Sequence, residues 1–111
     1  MPEFEHPREY YRIPYPLSAR PELFIAGQAY PVIDLSEGGL RYHLGEAPEP
    51  DLNSTVKGVI KFKRGEAAGV RGRVIRVQDS HVALALEVSL PFKIILDEQR
   101  YLRDNFRGMA W

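Results

Sequence analysis

Between Thr55 and Val88 apolar and polar residues alternate in three short runs separated by tight turns, and this pattern constrains the fold more than any other. In Thr55–Lys63, Val56, Gly58, Ile60 and Phe62 alternate with Lys57, Val59, Lys61 and Lys63. A period of two puts one set on a core face and the other in solvent, which is the mark of a half-buried strand. Gly65 to Gly69 supplies a turn, and Val70–Val77 forms a second strand in which Gly72 offers a bend or bulge. After Gln78-Asp79-Ser80 a third run sets Val82, Leu84, Leu86 and Val88 against Ala83, Ala85 and Glu87. Short strands at such close spacing belong to an antiparallel barrel or folded sheet.

The flanking segments extend this reading. Pro2, Pro7, Pro14 and Pro16 make residues 1–16 an extended, flexible arm, since proline cannot donate to a ladder and biases its neighbour towards extended backbone. A first strand is expected near Leu17–Ile25, a turn at Ala26-Gly27-Gln28, a strand through Tyr30–Leu35, and another at Leu40–Leu44 after Gly38-Gly39. Gly45 to Asn53 is a loop. Past Pro91, Ile95, Leu102 and Phe106 recur at helical spacing with Asp97, Glu98, Arg100, Arg103 and Asp104 around them. That gives a helix over about 91–107, with Ser89 as N-cap and Gly108 as stop. The expected architecture is mainly β: a small antiparallel barrel of about six strands over 17–111, with a C-terminal helix.

Composition narrows the function classes. The chain has 111 residues, no cysteine and a formal net charge of zero. A disulfide framework, a thiolate metal site and a cysteine nucleophile are excluded, and bulk charge cannot hold nucleic acid or an anionic membrane. No apolar run approaches the ~20 residues of a membrane helix, and the N-terminus has no signal-peptide core; a cytoplasmic protein is expected. The charge is uneven, however. Residues 1–56 carry four Arg/Lys against nine Asp/Glu, whereas 57–76 carry seven against Glu66 alone. Lys57, Lys61, Lys63, Arg71 and Arg73 fit the solvated face of a sheet.

No catalytic constellation stands out. His6, His43 and His81 lack ligand spacing, and there is neither a nucleophile elbow nor a complete phosphate loop. Two other motifs are present: Arg8-Glu9-Tyr10-Tyr11-Arg12, an RxxxR, and Asp34-Leu35-Ser36-Glu37-Gly38-Gly39-Leu40, a DxSxxGL turn. Each alone carries little weight. An Asp and a Ser at this spacing also serve as the staple of a bend, and arm arginines can simply be solvated. In this order, before a run of short strands and a helix, they form a specific signal.

On these residues the sequence resembles the PilZ domain family of bacterial cyclic di-GMP receptors, over nearly its whole length. The resemblance implies a small β-barrel with a C-terminal helix, no enzymatic activity and no cofactor beyond the ligand itself. It also implies a partner effector protein, no DNA or RNA, no membrane insertion, and a monomer or weak dimer. By resemblance Arg8, Arg12, Asp34, Ser36 and Gly39 bind the dinucleotide, with Gly38, Arg73 and Arg76 as secondary candidates.

The chemistry is apt. Guanidinium forms paired bonds with phosphate or guanine O6/N7 and lies flat on purines. In an extended arm the two arginines sit ~13 Å apart, and a carboxylate accepts from guanine's N1–H and N2–H₂ edge. Pro7 stands where many members have a further arginine, leaving one or two bound dinucleotides open. Arg73-Val74-Ile75-Arg76 stands where members often place a stacking aromatic; Tyr10 and Trp111 are other stacking candidates. The competing readings are a nucleic-acid-binding OB or SH3-like barrel using 57–76, which holds only Phe62 as an aromatic, and a PilZ-like adaptor that binds no nucleotide.

Overall fold

The computed structural model describes residues 12–106. Six strands close into an antiparallel barrel: β2 (Glu22–Ile25), β3 (Gln28–Leu35), β4 (Gly39–His43), β5 (Thr55–Lys61), β6 (Ala67–Gln78) and β7 (His81–Leu86). Their order is β3-β2-β5-β6-β7-β4, and the β3–β4 pairing closes the ring. A two-residue strand, β1 (Ile13–Pro14), adds to β3 through Ile13↔Leu35 and Pro14↔Asp34. The helix α1 (Phe92–Asn105) follows β7.

The alternating runs build the core as their period requires. Val56, Ile60 and Phe62, Val74, and Val82 and Leu84 are buried in one cluster with Leu23, Val32, Leu35, Leu40 and Tyr42. Two hairpins turn on two-residue loops with both residues left-handed: Ala26-Gly27 at φ 50° and 83°, and Asp79-Ser80 at 54° and 63°. That conformation matches the twist of the flanking strands. Lys57, Lys61, Lys63, Arg71 and Arg73 are exposed, as expected of a solvated sheet face.

Several boundaries differ from the sequence reading, each for a local reason. The strand expected near Leu17–Ile25 begins only at Glu22, because Pro16 and Pro21 bracket a 3₁₀ turn at Leu17–Ala19. The described end of the arm is docked rather than loose: Ile13 and Tyr15, on one face at i, i+2, are both buried. The bulge in β6 falls at Ile75, between Val74 and Arg76, and not at Gly72. Gly72 keeps register as an inward position where a Cβ would come within 2.9 Å of the Ala85 carbonyl oxygen. Helix α1 starts from Pro91 without a side-chain cap, so Ser89 is not its N-cap. It ends before Phe106, which leaves the helical region and donates its N–H to the Leu102 carbonyl; Gly108 lies outside the described residues.

Glu98 is the largest correction to the helix. It is 1% exposed because it shares the face of Ile95 and Leu102, three and four residues away. The Tyr15 hydroxyl donates to its Oε1 at 2.5 Å and Arg64 Nε donates to its Oε2 at 2.6 Å. Arg64 also pairs with Glu66 and lies over the Phe62 ring at 5.2 Å. Burial beside the Glu98 carboxylate pushes the Tyr15 phenol far above its ordinary range. Burial alone would lower the Arg64 guanidinium, but its bonds to Glu66 and Glu98 raise it overall.

Candidate functional site

Asp34 faces outward although the plain alternation of β3 would turn it elsewhere. Val32 and Leu35, three residues apart, both enter the core, because an irregularity between Val32 and Asp34 inserts Ile33 as an extra residue. The bulge flips the parity of the strand and sets Asp34 on the outer surface of the barrel. Asp34 is nonetheless 2% exposed, because guanidinium groups cover it. Arg41 donates from Nε to Oδ2 at 2.7 Å and places Nη2 2.6 Å from the same oxygen. Arg12 donates from Nη1 to Oδ1 at 3.3 Å.

Strand register extends the site sideways. Arg76 pairs with Ala83, Ala83 with Arg41, and Arg41 with Asp34, in one row across β6, β7, β4 and β3. The next row runs Arg73, Ala85, Gly39. Strands lie ~4.8 Å apart, so Arg76 and Arg41 face each other across about 10 Å. Between them in that row only the Ala83 methyl stands on the sheet. The result is a cleft of about 170 Å³ lined by Arg41, Arg76, Gln78, Asp79, His81 and Ala83. Arg73 and Arg76 are exposed and have no ion-pair partner among the described residues. A second bulge, at Ile75, is what aims Arg76 outward in the same row as Ala83.

The DxSxxG turn has two kinds of members. Ser36 is buried, and both its N–H and its Oγ donate to the Gly39 carbonyl, at 2.8 and 3.2 Å. It staples the bend, and its hydroxyl oxygen keeps its acceptor capacity. Neither Gly38 nor Gly39 has positive φ, so conformational freedom is not their role here. A Cβ at Gly39 would lie 2.8 Å from the Leu84 carbonyl oxygen; glycine lets β4 approach β7. At Gly38 a Cβ would meet open space. Asp34, by contrast, is no part of the staple.

Arg8, Tyr10 and Trp111 lie outside the described residues. The remaining candidates, Arg12, Asp34, Ser36, Gly38, Gly39, Arg73 and Arg76, all fall on or beside these two rows. Arg41 escaped the sequence reading. The signal was present: once Glu37-Gly38 is a two-residue hairpin loop, counting outward pairs Ser36 with Gly39, Leu35 with Leu40, and Asp34 with Arg41. His43 and His81, half-buried, are cross-strand partners with ring centroids 5.7 Å apart, a proximity that their spacing in the chain does not reveal. No group of residues that could hold a metal occurs among the described residues. Two roomier depressions, of about 500 and 650 Å³, contain none of the expected site residues.

The sequence profile of the PilZ domain matches residues 6–104. Among solved structures, the fold is similar to the Bacillus subtilis inhibitor of motility (MotI/DgrA), with a TM-score of 0.62 and 10% identity over 89% of this chain. The chain spans about half of that protein, 51% of its length. An uncharacterized Legionella protein is similar at TM-score 0.60 and 17% identity, over 86% of this chain and 100% of its own. No curated protein sequence matches. Among the described residues no helix is long and apolar enough to cross a membrane.

Proposed function

Since the chain belongs to the PilZ domain family, we propose that it is a cyclic di-GMP receptor whose liganded form is read by a separate effector protein. One observation carries this reading: the Arg76–Ala83–Arg41–Asp34 row, with Arg12 at its end, puts guanidinium groups on both sides of a small-residue floor next to a carboxylate. Cyclic di-GMP offers two phosphates and two guanines to such a surface. The Asp34 carboxylate accepts from a guanine N1–H and N2–H₂ edge, which adenine lacks. Arg8 and Arg12 take phosphate oxygens in paired, charge-assisted bonds. Arg76, standing where a stacking aromatic is common in the family, lies against the second base above Ala83.

Four or five charge-assisted bonds, each contributing about 1.5–3 kcal/mol before the arm's ordering cost, sustain micromolar affinity, about −8 kcal/mol. Arg8–Arg12 closing over the dinucleotide changes the surface where the arm meets β3, and that surface is what the effector reads. Isothermal titration with cyclic di-GMP, with GTP and cyclic di-AMP as controls, tests the proposal. Selective heat at micromolar concentration is expected, and the stoichiometry reads out the effect of Pro7. A folded chain that gives no heat refutes it.

A further inference from the structure

The two guanidiniums on Asp34 differ in how they are held. Arg41 is part of β4, a strand paired on both sides, and stands directly across from Asp34 in register. It sets two N–H groups on Oδ2, at 2.7 and 2.6 Å. Arg12 precedes the two-residue β1, reaches Oδ1 with one nitrogen at 3.3 Å, and has the more exposed side chain, 53% against 41%.

A carboxylate has about four acceptor positions, two on each oxygen. Arg41 fills both on Oδ2 and Arg12 fills one on Oδ1, so a single position is left. A guanine edge brings two donors, N1–H and an N2–H. It can take Oδ1 with both only when Arg12 leaves, much as Arg41 already grips Oδ2 with two.

We infer that Arg41 is a positioning residue for guanine recognition, and that Arg12 is an exchangeable stand-in for the guanine edge on Asp34. This rests on the receptor reading above and adds a division of labour to it. Arg41 stays on Oδ2 in both states and keeps Oδ1 aimed at the site. The incoming base replaces Arg12, whose guanidinium is then free for phosphate. Specificity for guanine therefore depends on Arg41, which need not touch the ligand, while Arg12 supports affinity for any cyclic dinucleotide.

Cyclic di-inosine monophosphate, which lacks only the N2 amines, is the discriminating probe. Competition titrations against fluorescent cyclic di-GMP are run on the full chain, on R41A, R41K and R12A, with each variant's fold checked by circular dichroism. The wild-type chain is expected to prefer cyclic di-GMP over the inosine analogue by about 10- to 100-fold, as befits a lost bond to a charged group. In R41A that preference falls below about threefold, and R41K, with the charge but no fork, recovers only part of it. R12A weakens both ligands by a similar factor and keeps the preference. An undiminished preference in folded R41A overturns the role of Arg41, and a preference lost in R12A overturns the exchange. A wild-type chain that binds neither ligand overturns the receptor reading and this inference together.

Discussion

Two carboxylates, Asp34 and Glu98, are almost equally buried, at 2% and 1% exposure, and both are bonded to arginine. Their counter-charges are not alike. Glu98 lies between α1 and the barrel, with a buried tyrosine hydroxyl on one oxygen and Arg64, only 14% exposed, on the other. Asp34 sits on the outer face under Arg12 and Arg41, which are about half exposed. A carboxylate whose partners are sealed in can only hold the fold together. One whose partners reach solvent can trade them for a ligand.

Removing Glu98 should have the largest effect on stability. E98A strands the Arg64 guanidinium and the Tyr15 hydroxyl in the interior, at a cost of about 3–5 kcal/mol, read as a lower midpoint in urea with unchanged slope. Y15F removes one donor from the same carboxylate and should cost about 1–3 kcal/mol. D34A should cost about 1 kcal/mol or less, because Arg12 and Arg41 can turn to water, yet abolish dinucleotide binding by titration. If D34A unfolds the chain as readily as E98A, the contrast between the two carboxylates is wrong. The exposed Arg71–Glu87 pair, at 3.0 Å, should be nearly silent in a double-mutant cycle, at about 0.2–1 kcal/mol.

Alkaline titration gives a further test of the sealed region. Burial, with the neighbouring Tyr30, pushes the Tyr42 phenol from 10.0 up to about 12, and Tyr15 is raised in the same direction. The folded chain keeps protons that the unfolded chain sheds, so this contribution is intact below pH 10 and is lost as pH rises from 10 to about 12. Unfolding midpoints measured across that window should fall, and Y15F should fall less steeply than the wild type.

The barrel was legible where the core is built by plain alternation, as in β5 and β7, and the DxSxxG turn was legible as a hairpin end. What sequence could not reveal were features fixed by pairing partners. The bulges at Ile33 and Ile75 are set by register against β4 and β7, and they alone decide that Asp34 and Arg76 face the same way. Ala83 acquires meaning only through the β4–β7 pairing, between strands far apart in the chain, whereas Arg41 is within reach of the local β3–β4 hairpin count. Glu98 was misread because a charged residue was assigned to the polar side of α1, although its spacing from Ile95 and Leu102 already placed it on the buried face. The His43–His81 pair, like Ala83, is set by the long-range β4–β7 pairing.

A sheet closed on itself has no long strand edge to lend to another chain, and among the described residues only the two-residue β1 ends the order. Such a ring gives little template for edge-to-edge stacking between copies. It also separates what may change from what must persist. Positions such as Ala83 and Ala85 point away from the core, so substitutions there reshape the floor between Arg76 and Arg41 while leaving the buried residues that make the barrel in place.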